Sequence, residues 1–303
     1  MSQKLWGIDL GGTKIEGVVL KSENDPEVLI RKRIDTEAFK GYQHTLNRVK
    51  LLIDQISEEL GERPTTFGMG TPGAIDPQTG VLKNSNSQAI NKKPFKQDLE
   101  ALMQMPIAMA NDANCFALAE ARMGAVPEFD PDAKVVFGVI MGTGVGGGLV
   151  VNGQVLNGKQ GIGGEWGHNF LDESGGPCYC GKSGCVEKVI AGPSLERYYT
   201  EITGEKKKLK EIIPMARSGE DPNAVKTLDR LMHFFGLAIS VVINIVDPDV
   251  IVLGGGVGNI EELYTRGVEE AAKHVFNPRL DTPIIKPKLG DSAGVFGAAY
   301  LMA

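Results

Sequence analysis

The stretch Leu5-Trp6-Gly7-Ile8-Asp9-Leu10-Gly11-Gly12-Thr13-Lys14-Ile15 decides the fold of this 303-residue chain. Its apolar residues predict a buried strand over 5–9 and a second strand over 15–20, joined by a tight turn at the glycine pair. A strand follows the lysine here, whereas a helix follows the lysine of a Walker phosphate loop. The sequence therefore predicts a glycine turn between two strands.

The same pattern returns about 130 residues later. Val139-Ile140-Met141-Gly142-Thr143-Gly144 resembles Ile8-Asp9-Leu10-Gly11-Gly12-Thr13, and Gly146-Gly147-Gly148 leads into the apolar run Leu149-Val150-Val151. A repeated unit of this size predicts two similar lobes. The alternative is one large α/β domain without repeat symmetry.

Strands alternate with helical patterns along the rest of the chain, which is typical of α/β architecture. Apolar residues at positions 42, 46, 49, 52, 53, 56 and 60 form one face of a helix that Gly61 ends. Further helices are predicted over 113–123, 225–246, 261–275 and 294–301, and further strands over 66–69, 106–110 and 249–253.

Composition and charge narrow the class of protein. The 39 glycines follow no collagen-like period, so they predict sharp turns. A net charge of −6 argues against nucleic acid as the main partner, because phosphate binding needs a basic face. The longest apolar run, Leu237–Val246, is interrupted by Ser240 and Asn244, and the N-terminus lacks a signal-peptide apolar region. We expect no membrane span and a cytoplasmic protein.

Three glycine turns are candidates for phosphate binding: Gly11-Gly12-Thr13-Lys14, Gly142-Thr143-Gly144-Val145-Gly146 and Gly254-Gly255-Gly256. Turns without Cβ atoms let backbone N–H groups approach phosphate oxygens, although each could be a tight turn only. Asp9 ends the first strand, whereas Ile140 stands at the equivalent position of the repeat. A carboxylate in one copy alone predicts a role such as holding hydrated Mg²⁺, with the Thr13 hydroxyl and Lys14 ammonium near the outer phosphates of a nucleotide.

Asn111-Asp112 lies where a predicted strand gives way to a helix. Either side chain could be an N-cap only. The functional alternative is a general base at the junction of the lobes, where a carboxylate could accept the proton of an attacking hydroxyl.

His168, Cys178, Cys180 and Cys185 form the most distinctive cluster in the sequence. One imidazole and three thiolates complete a tetrahedral Cys₃His zinc site with no open position, so we expect structural Zn²⁺. Gly181 and Gly184 ease the folding of the short Cys-X-Cys loop. The alternative is three unligated cysteines. Cys115 is expected to be buried, and the other histidines, 44, 233 and 274, follow no pattern and are expected to be structural.

These motifs together resemble the ROK family (repressors, open reading frames and sugar kinases). The resemblance rests on Asp9-Leu10-Gly11-Gly12-Thr13-Lys14, Asn111-Asp112, Gly142–Gly148, Glu165-X-Gly-His168 and the cysteine loop that ends in Glu187, and it spans about residues 4–301. It implies the two-lobed, actin-like ATPase fold and transfer of the ATP γ-phosphate to a sugar hydroxyl. The family's repressors carry an additional N-terminal helix-turn-helix, which a first strand at Leu5 disfavours.

The resemblance also implies roles for single residues. Asp112 would be the catalytic base, and ATP would lie across the glycine turns with its adenosine near Gly254–Gly256. His168 would bind zinc through one ring nitrogen and face the sugar with the other. The implied sugar ligands are Gly73, Asn86, Asn111, Asp112, Glu165, His168 and Glu187.

Within the family, the segments Gly68–Asp76, Lys83–Ser87 and Gly164–Asn169 are most similar to bacterial fructokinases and mannokinases. Gln88-Ala89-Ile90-Asn91 departs from that subgroup, which carries an aromatic residue and Leu near this position. We therefore expect an ATP:hexose 6-phosphotransferase with fructose as the best substrate and mannose or glucose as slower ones. N-acetylhexosamine kinases and glucokinases of the same family are the alternatives.

The expected lobes are residues 1–112 with 291–303, and residues 113–290 with the zinc loop, with the sugar between them. A homodimer is expected from the resemblance alone. Two other classes of function stay open, a sugar-binding regulator without turnover and an actin-like ATPase of chaperone or polymer type. The intact Asp112 and phosphate turns disfavour the first class, and the zinc loop disfavours the second.

Overall fold

The structure is a computed structural model that describes residues 3–303. Its strands are β1 (Leu5–Leu10), β2 (Lys14–Leu20), β3 (Val28–Asp35), β4 (Phe67–Thr71), β5 (Ala74–Ile75), β6 (Leu82–Lys83), β7 (Ile107–Asn111), β8 (Val135–Met141), β9 (Val145–Val151), β10 (Gln154–Val155), β11 (Val250–Gly254) and β12 (Ile284–Ile285).

The α-helices are α1 (Tyr42–Leu60), α2 (Phe95–Met103), α3 (Asp112–Arg122), α4 (Ala125–Phe129), α5 (Val186–Ile190), α6 (Gly192–Thr203), α7 (Leu209–Ser218), α8 (Pro222–Val246), α9 (Gly255–Gly258), α10 (Arg266–Ala272) and α11 (Ala293–Tyr300). Short 3₁₀ helices span Ala38–Lys40, Trp166–His168, Glu173–Gly175, Glu261–Tyr264 and Gly290–Ser292.

The chain divides into two compact units. The first holds the residues up to Asp132, Gly148–Gly164 and Lys288–Ala303, and the second holds Ala133–Gly147 and Glu165–Pro287. These bounds differ from the expected 1–112 with 291–303 and 113–290. The reason is that α3 packs on α11 inside the first unit, where a Cβ on Gly297 would lie 1.7 Å from the carbonyl oxygen of Cys115. The chain therefore leaves the first unit after α3, not before it.

The first unit is built on a sheet with strand order β3-β2-β1-β4-β7. β1 runs antiparallel to β2 and parallel to β4, and β4 runs parallel to β7, so that the turn after β1 and the residues that follow β7 lie at one edge of the sheet. The predicted apolar face of α1 packs on the sheet through five side chains that are fully or almost fully buried: Leu46, Val49, Leu52, Ile53 and Ile56.

The second sheet has the order β10-β9-β8-β11-β12, which is the order of the first sheet strand for strand. β8 runs parallel to β11, β11 parallel to β12, and β9 antiparallel to β10. The first three strands of each sheet correspond at an offset of about 130 residues, as the glycine patterns predict, whereas β4 and β7 correspond to β11 and β12 at an offset of about 180. The internal repeat is therefore present in the topology of the chain.

Helix α11 packs against β1 and β4 at two glycines of the first sheet. A Cβ on Gly7 would lie 2.3 Å from the carbonyl oxygen of Val295, and one on Gly68 would lie 1.7 Å from that of Ala298. Side chains at these positions would push the helix off the sheet. The two glycines therefore hold the C-terminal helix close to the strand that ends in Asp9.

The structure has elements that were not predicted, such as α2, α6 and α7, and it differs from the predictions at the following places. Residues 28–35 form an additional strand, β3. The predicted helix over 261–275 is instead a 3₁₀ turn and α10, separated at Thr265, whose backbone is not helical. The predicted turn at Gly254–Gly256 is the last residue of β11 followed by the start of α9. The last difference matters for the nucleotide site described below.

Helix α8 is long and apolar enough, by length and composition, to cross a membrane, although we expected no membrane span. Half of the most apolar 18-residue stretch of this helix is buried inside the structure. A buried core helix of a globular protein passes the same test of length and hydropathy. The helix begins at Pro222, three residues before the predicted start, because Asp221 caps it by accepting a hydrogen bond from the backbone N–H of Asn223.

Candidate active site

Asp9 and Asp112 stand where β1 and β7 end in the first unit. The carboxylate of Asp9 lies above two glycines, since a Cβ on Gly70 or on Gly294 would come within 3.2 or 3.1 Å of its oxygens. Burial, the charge of Asp112 and the charge of Glu16 raise the pKa of Asp9 to about 7, and Arg33 opposes them. The site thus concentrates negative charge that a cation would offset, and its carboxylate oxygens are ligands that fit Mg²⁺.

Asp112 is the first residue of α3, and Asn111 is the N-cap of this helix. The Asn111 Oδ1 accepts a hydrogen bond of 2.8 Å from the backbone N–H of Asn114, which confirms the capping alternative for Asn111. Because Asn111 makes the capping bond, the carboxylate of Asp112 is not needed to cap the helix. Burial raises the pKa of Asp112, while the backbone N–H of Ala113, which donates to it at 2.9 Å, lowers it.

The turn Gly11–Lys14 is held by backbone bonds and leaves its tip open. The N–H of Gly11 donates to the carbonyl of Lys14, and the Thr36 hydroxyl donates to the carbonyl of Gly11 at 2.8 Å. A Cβ on Gly12 would meet nothing within 4 Å, and Thr13 and Lys14 are exposed. The turn is therefore shaped so that its backbone N–H groups, a hydroxyl and an ammonium are accessible to an anion.

Gly73 and Asn86 belong to two loops that pack together in the first unit. Gly73 has a φ of 87°, and a Cβ there would lie 2.5 Å from the carbonyl of Lys83. Asn86 is exposed. The Asn91 Oδ1 accepts a hydrogen bond of 3.4 Å from the backbone N–H of Ser85. The stretch Gln88–Asn91 therefore helps to hold the loop that carries Asn86.

A cavity of about 300 Å³ adjoins these residues in the first unit. Its walls combine apolar groups, including Ile75 and Met109, with Asn111 and Asn114. The Oδ1 of Asn114 is buried and has no hydrogen-bond partner among residues 3–303. Sequence reasoning missed this cavity, because β5, β7 and the 157–161 loop that line it are distant along the chain.

In the second unit, Glu165 and His168 flank a 3₁₀ turn that is anchored on β9. The indole N–H of Trp166 donates to the carbonyl of Gly146 at 3.0 Å, and a Cβ on Gly167 would lie 1.9 Å from the carbonyl of Val145. A buried tryptophan and a glycine thus explain the spacing of the Glu-X-Gly-His motif. They fix the backbone so that its two polar residues keep their positions.

The four predicted zinc ligands come together. Their donor atoms lie within 4.8 Å of one another, with 3.7 Å between His168 Nδ1 and Cys178 Sγ and 3.6 Å between the sulfurs of Cys180 and Cys185. Bonds of about 2.0–2.3 Å to a tetrahedral Zn²⁺ place neighbouring ligand atoms roughly 3.5–3.8 Å apart. The donor set therefore fits Zn²⁺. Gly181 and Gly184 have φ of 88° and 72°, as expected for the turns of this loop.

Tyr179 is a residue that sequence reasoning missed. Its hydroxyl lies 3.0 Å from Nε2 of His168, and the two rings meet edge to face with 5.1 Å between centroids. Although the Tyr179 side chain is 75% exposed, desolvation of its hydroxyl beside His168 and the charge of Glu187 raise the pKa of Tyr179 to about 12. The ring nitrogen that the resemblance assigned to the sugar therefore already has a phenol beside it.

Glu187 joins the cysteine loop to the second glycine turn. It lies in α5, two residues after Cys185, and its Oε2 accepts a bond of 3.2 Å from the backbone N–H of Val145. A Cβ on Gly144 would lie 2.5 Å from the same oxygen. One carboxylate oxygen is thus bound to the turn, so that Glu187 positions Gly142–Gly144 in addition to any contact with a sugar.

Next to this turn, the second unit holds a cavity of about 740 Å³. It is lined by Gly142, Thr143, Gly192, Pro193, Glu196, Lys208, Leu209, Lys210, Ile213, Pro214, Arg217, Gly256, Val257, Asn259 and Ile260. Such a combination of apolar walls, glycine turns and a few charged groups is typical of small-molecule sites. The side chains from α6 and α7 could not be assigned from sequence, because the apolar pattern of a helix does not tell which cavity its ends face.

The three glycines at 254–256 have different roles. Gly254 ends β11, and Gly255 packs on β8, where a Cβ would lie 2.3 Å from the carbonyl of Met141 at a φ of 81°. Only Gly256 lines the cavity, and a Cβ there would meet nothing within 4 Å. Gly254 and Gly255 are therefore needed for the local structure, whereas Gly256 leaves room for a ligand.

The chain matches the ROK family model over residues 5–303. It is 35% identical over 307 residues to the N-acetyl-D-glucosamine kinase of Haemophilus influenzae strain 86-028NP, with 98% of both chains covered. Among solved structures, it is similar to a ROK hexokinase from Thermus thermophilus (TM-score 0.88, 32% identity, 99% of this chain and 97% of that chain). It is also similar to a ROK glucokinase from Streptomyces griseus in complex with glucose and AMPPNP (TM-score 0.76, 26% identity, 99% of both chains).

These similarities extend over nearly the whole chain and include both glycine-turn sheets, so the predicted α/β, actin-like ATPase fold is confirmed. The relatives do not support the expected preference for fructose. Those from Haemophilus influenzae and Aliivibrio fischeri are named N-acetyl-D-glucosamine kinases. With matching motifs, a matching fold and a family model that covers all but the first four residues, this chain belongs to the ROK family.

Proposed function

We propose that this protein is an ATP-dependent N-acetyl-D-glucosamine kinase that phosphorylates the 6-hydroxyl of its sugar. The observation that carries the proposal is the identity of 35–36% over 98% of the chain to N-acetyl-D-glucosamine kinases of Haemophilus influenzae and Aliivibrio fischeri. The proposal replaces fructose by the N-acetylhexosamine that the sequence left as an alternative.

The roles of the residues follow from their surroundings. Asp112 accepts the proton of the 6-hydroxyl as that oxygen attacks the γ-phosphorus, and its raised pKa makes it a better base than an ordinary aspartate. Asp9 holds hydrated Mg²⁺, which neutralises charge on the transferred phosphoryl group. Thr13 and Lys14 contact the outer phosphates. Most of the catalysis is then positioning and charge neutralisation.

The cavity of about 740 Å³ in the second unit binds the adenosine of ATP. Ile213, Pro214 and Val257 supply apolar walls for the base, and the turn Gly142–Gly144 offers backbone N–H groups to the phosphates. Arg217 is fixed by a two-pronged ion pair to Glu262, with bonds of 2.7 and 2.8 Å, so it keeps its place when the cavity fills.

The cavity of about 300 Å³ in the first unit supports the choice of sugar. An acetamido group needs an apolar surface for its methyl group and polar partners for its amide. Ile75 and Met109 supply the first, and Asn111 and Asn114 supply the second, with an unpartnered Oδ1 on Asn114 among the described residues. We propose that this cavity takes the acetamido group.

The test is a coupled assay with ATP and Mg²⁺ on N-acetylglucosamine, N-acetylmannosamine, glucose, mannose and fructose. We expect the highest kcat/KM for N-acetylglucosamine. Ile75→Phe should lower kcat/KM for N-acetylglucosamine about tenfold more than for glucose, because an unfilled amide partner costs about 1–3 kcal/mol. A kcat/KM that is higher for glucose than for N-acetylglucosamine would contradict the proposed substrate and would instead indicate a glucose-phosphorylating hexokinase of the same family. ATP turnover that needs no sugar would contradict the proposal altogether.

The homodimer implied by the family stays a prediction. Light scattering of the purified protein distinguishes a dimer of about 65 kDa from the 32.5 kDa chain. A monomer would leave the roles of Asp112 and the two cavities unchanged, because each is built from residues of a single chain.

A further inference from the structure

A second group of metal-ligating side chains lies in the second unit, apart from the cysteine loop. His233 comes from α8, Glu270 comes from α10, and His274 follows the end of α10. The sequence pattern had left both histidines as structural residues. The fold brings both histidines to the same oxygen of one carboxylate, and the three donor atoms lie within 4.8 Å of one another.

We propose that His233, Glu270 and His274 form a binding site for a late first-row divalent cation such as Zn²⁺ or Ni²⁺. Two imidazoles and a carboxylate are a ligand set that suits these ions. Mg²⁺ prefers oxygen ligands and keeps its own waters, so Mg²⁺ at the concentrations of a kinase assay would not compete for the site.

The distances support the proposal. Glu270 Oε1 is 3.1 Å from Nδ1 of His233 and 3.4 Å from Nε2 of His274. Ligand atoms around a tetrahedral Zn²⁺ with bonds of about 2.0–2.2 Å lie roughly 3.3–3.5 Å apart. Two of the three edges of the site are therefore already near this length. The third edge, between the nitrogens of His233 and His274, is at most 4.8 Å long, and the His233 ring is half exposed.

Local contacts hold two of the three ligands in place. The Nδ2 of Asn244 donates to the carbonyl of His274 at 3.2 Å, and the carboxylate of Glu270 is mostly buried. Lys273 pairs with the other oxygen, Oε2, which leaves Oε1 to the imidazoles.

Substitution of Lys273 provides a test in which metal binding should become tighter. Its ammonium would repel a divalent cation bound to the same carboxylate, and its side chain is exposed and able to turn away. Removing this charge should tighten metal binding, whereas removing a ligand should weaken it. The bound ion would connect α8 to α10, and its fourth position would be open to water because His233 faces solvent.

The test is calorimetric titration of untagged protein, first loaded with one Zn²⁺ per chain at the cysteine loop, with further Zn²⁺ or Ni²⁺. We expect one additional equivalent per chain. His274→Gln should weaken its binding by at least about tenfold, as the loss of one ligand or its support commonly does, and Lys273→Gln should strengthen it. The melting temperature should rise with the added metal in the wild type and not in His274→Gln.

His44→Gln is the matched control, because His44 also pairs with a single glutamate, Glu37, at 2.8 Å but has no second imidazole beside it. This variant should keep the additional equivalent at unchanged affinity. Circular dichroism without metal checks that each variant is folded. A titration of His274→Gln that superimposes on the wild type, or no additional equivalent in the wild type, would overturn the proposal.

Discussion

Asp112 combines two features that rarely coincide in a residue that only begins a helix. The capping bond of α3 is made by Asn111, so the carboxylate of Asp112 is not needed for it. Its burial raises its pKa, as is common for catalytic carboxylates. The structure therefore identifies Asn111 as the cap, and the role of Asp112 as general base stays a prediction.

Asp112→Asn should lower kcat by about 10²–10⁴-fold, the usual loss when a general base is removed, and leave the dissociation constant of the sugar within a few-fold. The substitution keeps the size of the side chain. Single-turnover kinetics and sugar titration measure the two quantities. In the wild type, kcat should fall on acidification through the raised pKa of Asp112, above the range of an ordinary aspartate.

Asn111→Asp is the control, because it preserves the cap and puts a carboxylate one residue away. It should not restore activity to the Asp112→Asn protein. A variant Asp112→Asn that keeps more than about a tenth of the wild-type kcat would show that the carboxylate is not the base.

Tyr179→Phe should raise the KM for sugar about two- to tenfold with little change in kcat, because it removes one hydrogen bond to His168 Nε2 and keeps the ring. Tyr179→Ala should raise KM further, since the edge-to-face contact is lost as well. Steady-state kinetics measures both, and the KM for ATP serves as an internal control. Equal KM values for sugar in all three proteins would refute a role for Tyr179 at the sugar site.

The sequence predicts the zinc ligands but not Tyr179, and the reason is physical. Metal ligands can be identified from residue type alone, so three cysteines and a histidine close together in the sequence are sufficient to predict a zinc site. The contact between Tyr179 and His168 depends on how an eight-residue loop folds back over a 3₁₀ turn, and no local pattern encodes it.

The cysteine loop acts as one element. Cys180→Ser should remove zinc and most of the activity together, because a bound zinc would fix the His168 ring against the loop, and the loop leads directly into α5 with Glu187. Elemental analysis and the coupled assay measure the two losses. Cys115→Ser is the matched control: Cys115 is fully buried in α3, outside the cluster, and this variant should keep its zinc. Protein that is prepared without chelator and contains no zinc would contradict the site.

Two neighbouring glycines of the β11–α9 connection should respond differently to substitution. Gly256→Val projects into the cavity of about 740 Å³, so the KM for ATP should rise at least about tenfold while the melting temperature stays near that of the wild type. Gly255→Ala should instead lower the melting temperature, because a Cβ there meets the Met141 carbonyl at a positive φ. Kinetics and thermal melts of both proteins test this. An unchanged KM for ATP in Gly256→Val would place the nucleotide elsewhere.

An apolar period predicted some elements well, whereas others, such as the amphipathic helices α6 and α7, were not predicted. The helix Tyr42–Leu60 matches its predicted bounds, because its buried stripe and a left-handed Gly61 mark both the face and the end. Strand β3 was missed, because its side chains are mostly exposed or half-buried and follow no apolar run. The interruption at Thr265 was missed for the opposite reason, since the apolar pattern continues through it.

At the scale of the whole molecule, the repeat was predictable and its boundaries were not. Matching strand–glycine–strand segments sufficed to predict two similar lobes, and the structure shows that their sheets share one strand order. The bounds of the two units depend on long-range packing of α3 and α11, which lie some 170 residues apart along the chain. The two cavities could not be predicted either, because each is lined by elements that are distant in sequence.

The pKa of Asp9 predicts how the stability of the whole molecule depends on pH. It is 3.8 for an ordinary aspartate and about 7 in the folded protein, so the folded state loses stability as the pH rises through about 7. Asp9→Asn abolishes this titration. Between pH 5 and 8, the free energy of unfolding should therefore rise by about 2–3 kcal/mol in the variant relative to the wild type. Urea denaturation in Mg²⁺-free buffer measures it.

Asp291→Asn is the control for this experiment, because it removes one negative charge from an exposed position of the same unit. Its difference from the wild type should not change between pH 5 and 8. Mg²⁺ at saturation should reduce the effect of Asp9→Asn, since a bound cation stabilises the ionised wild-type carboxylate. A pH-independent difference between Asp9→Asn and the wild type would contradict the raised pKa.

The bond from Val145 to Glu187 has a practical consequence for anyone who prepares this enzyme. The same glutamate follows the cysteine loop and fixes the turn at Gly142–Gly144, which borders the larger cavity. We therefore predict that protein batches with different zinc contents differ in how well this turn is ordered. Kinetic constants for ATP should then scatter between laboratories unless each is reported with the zinc stoichiometry of its batch.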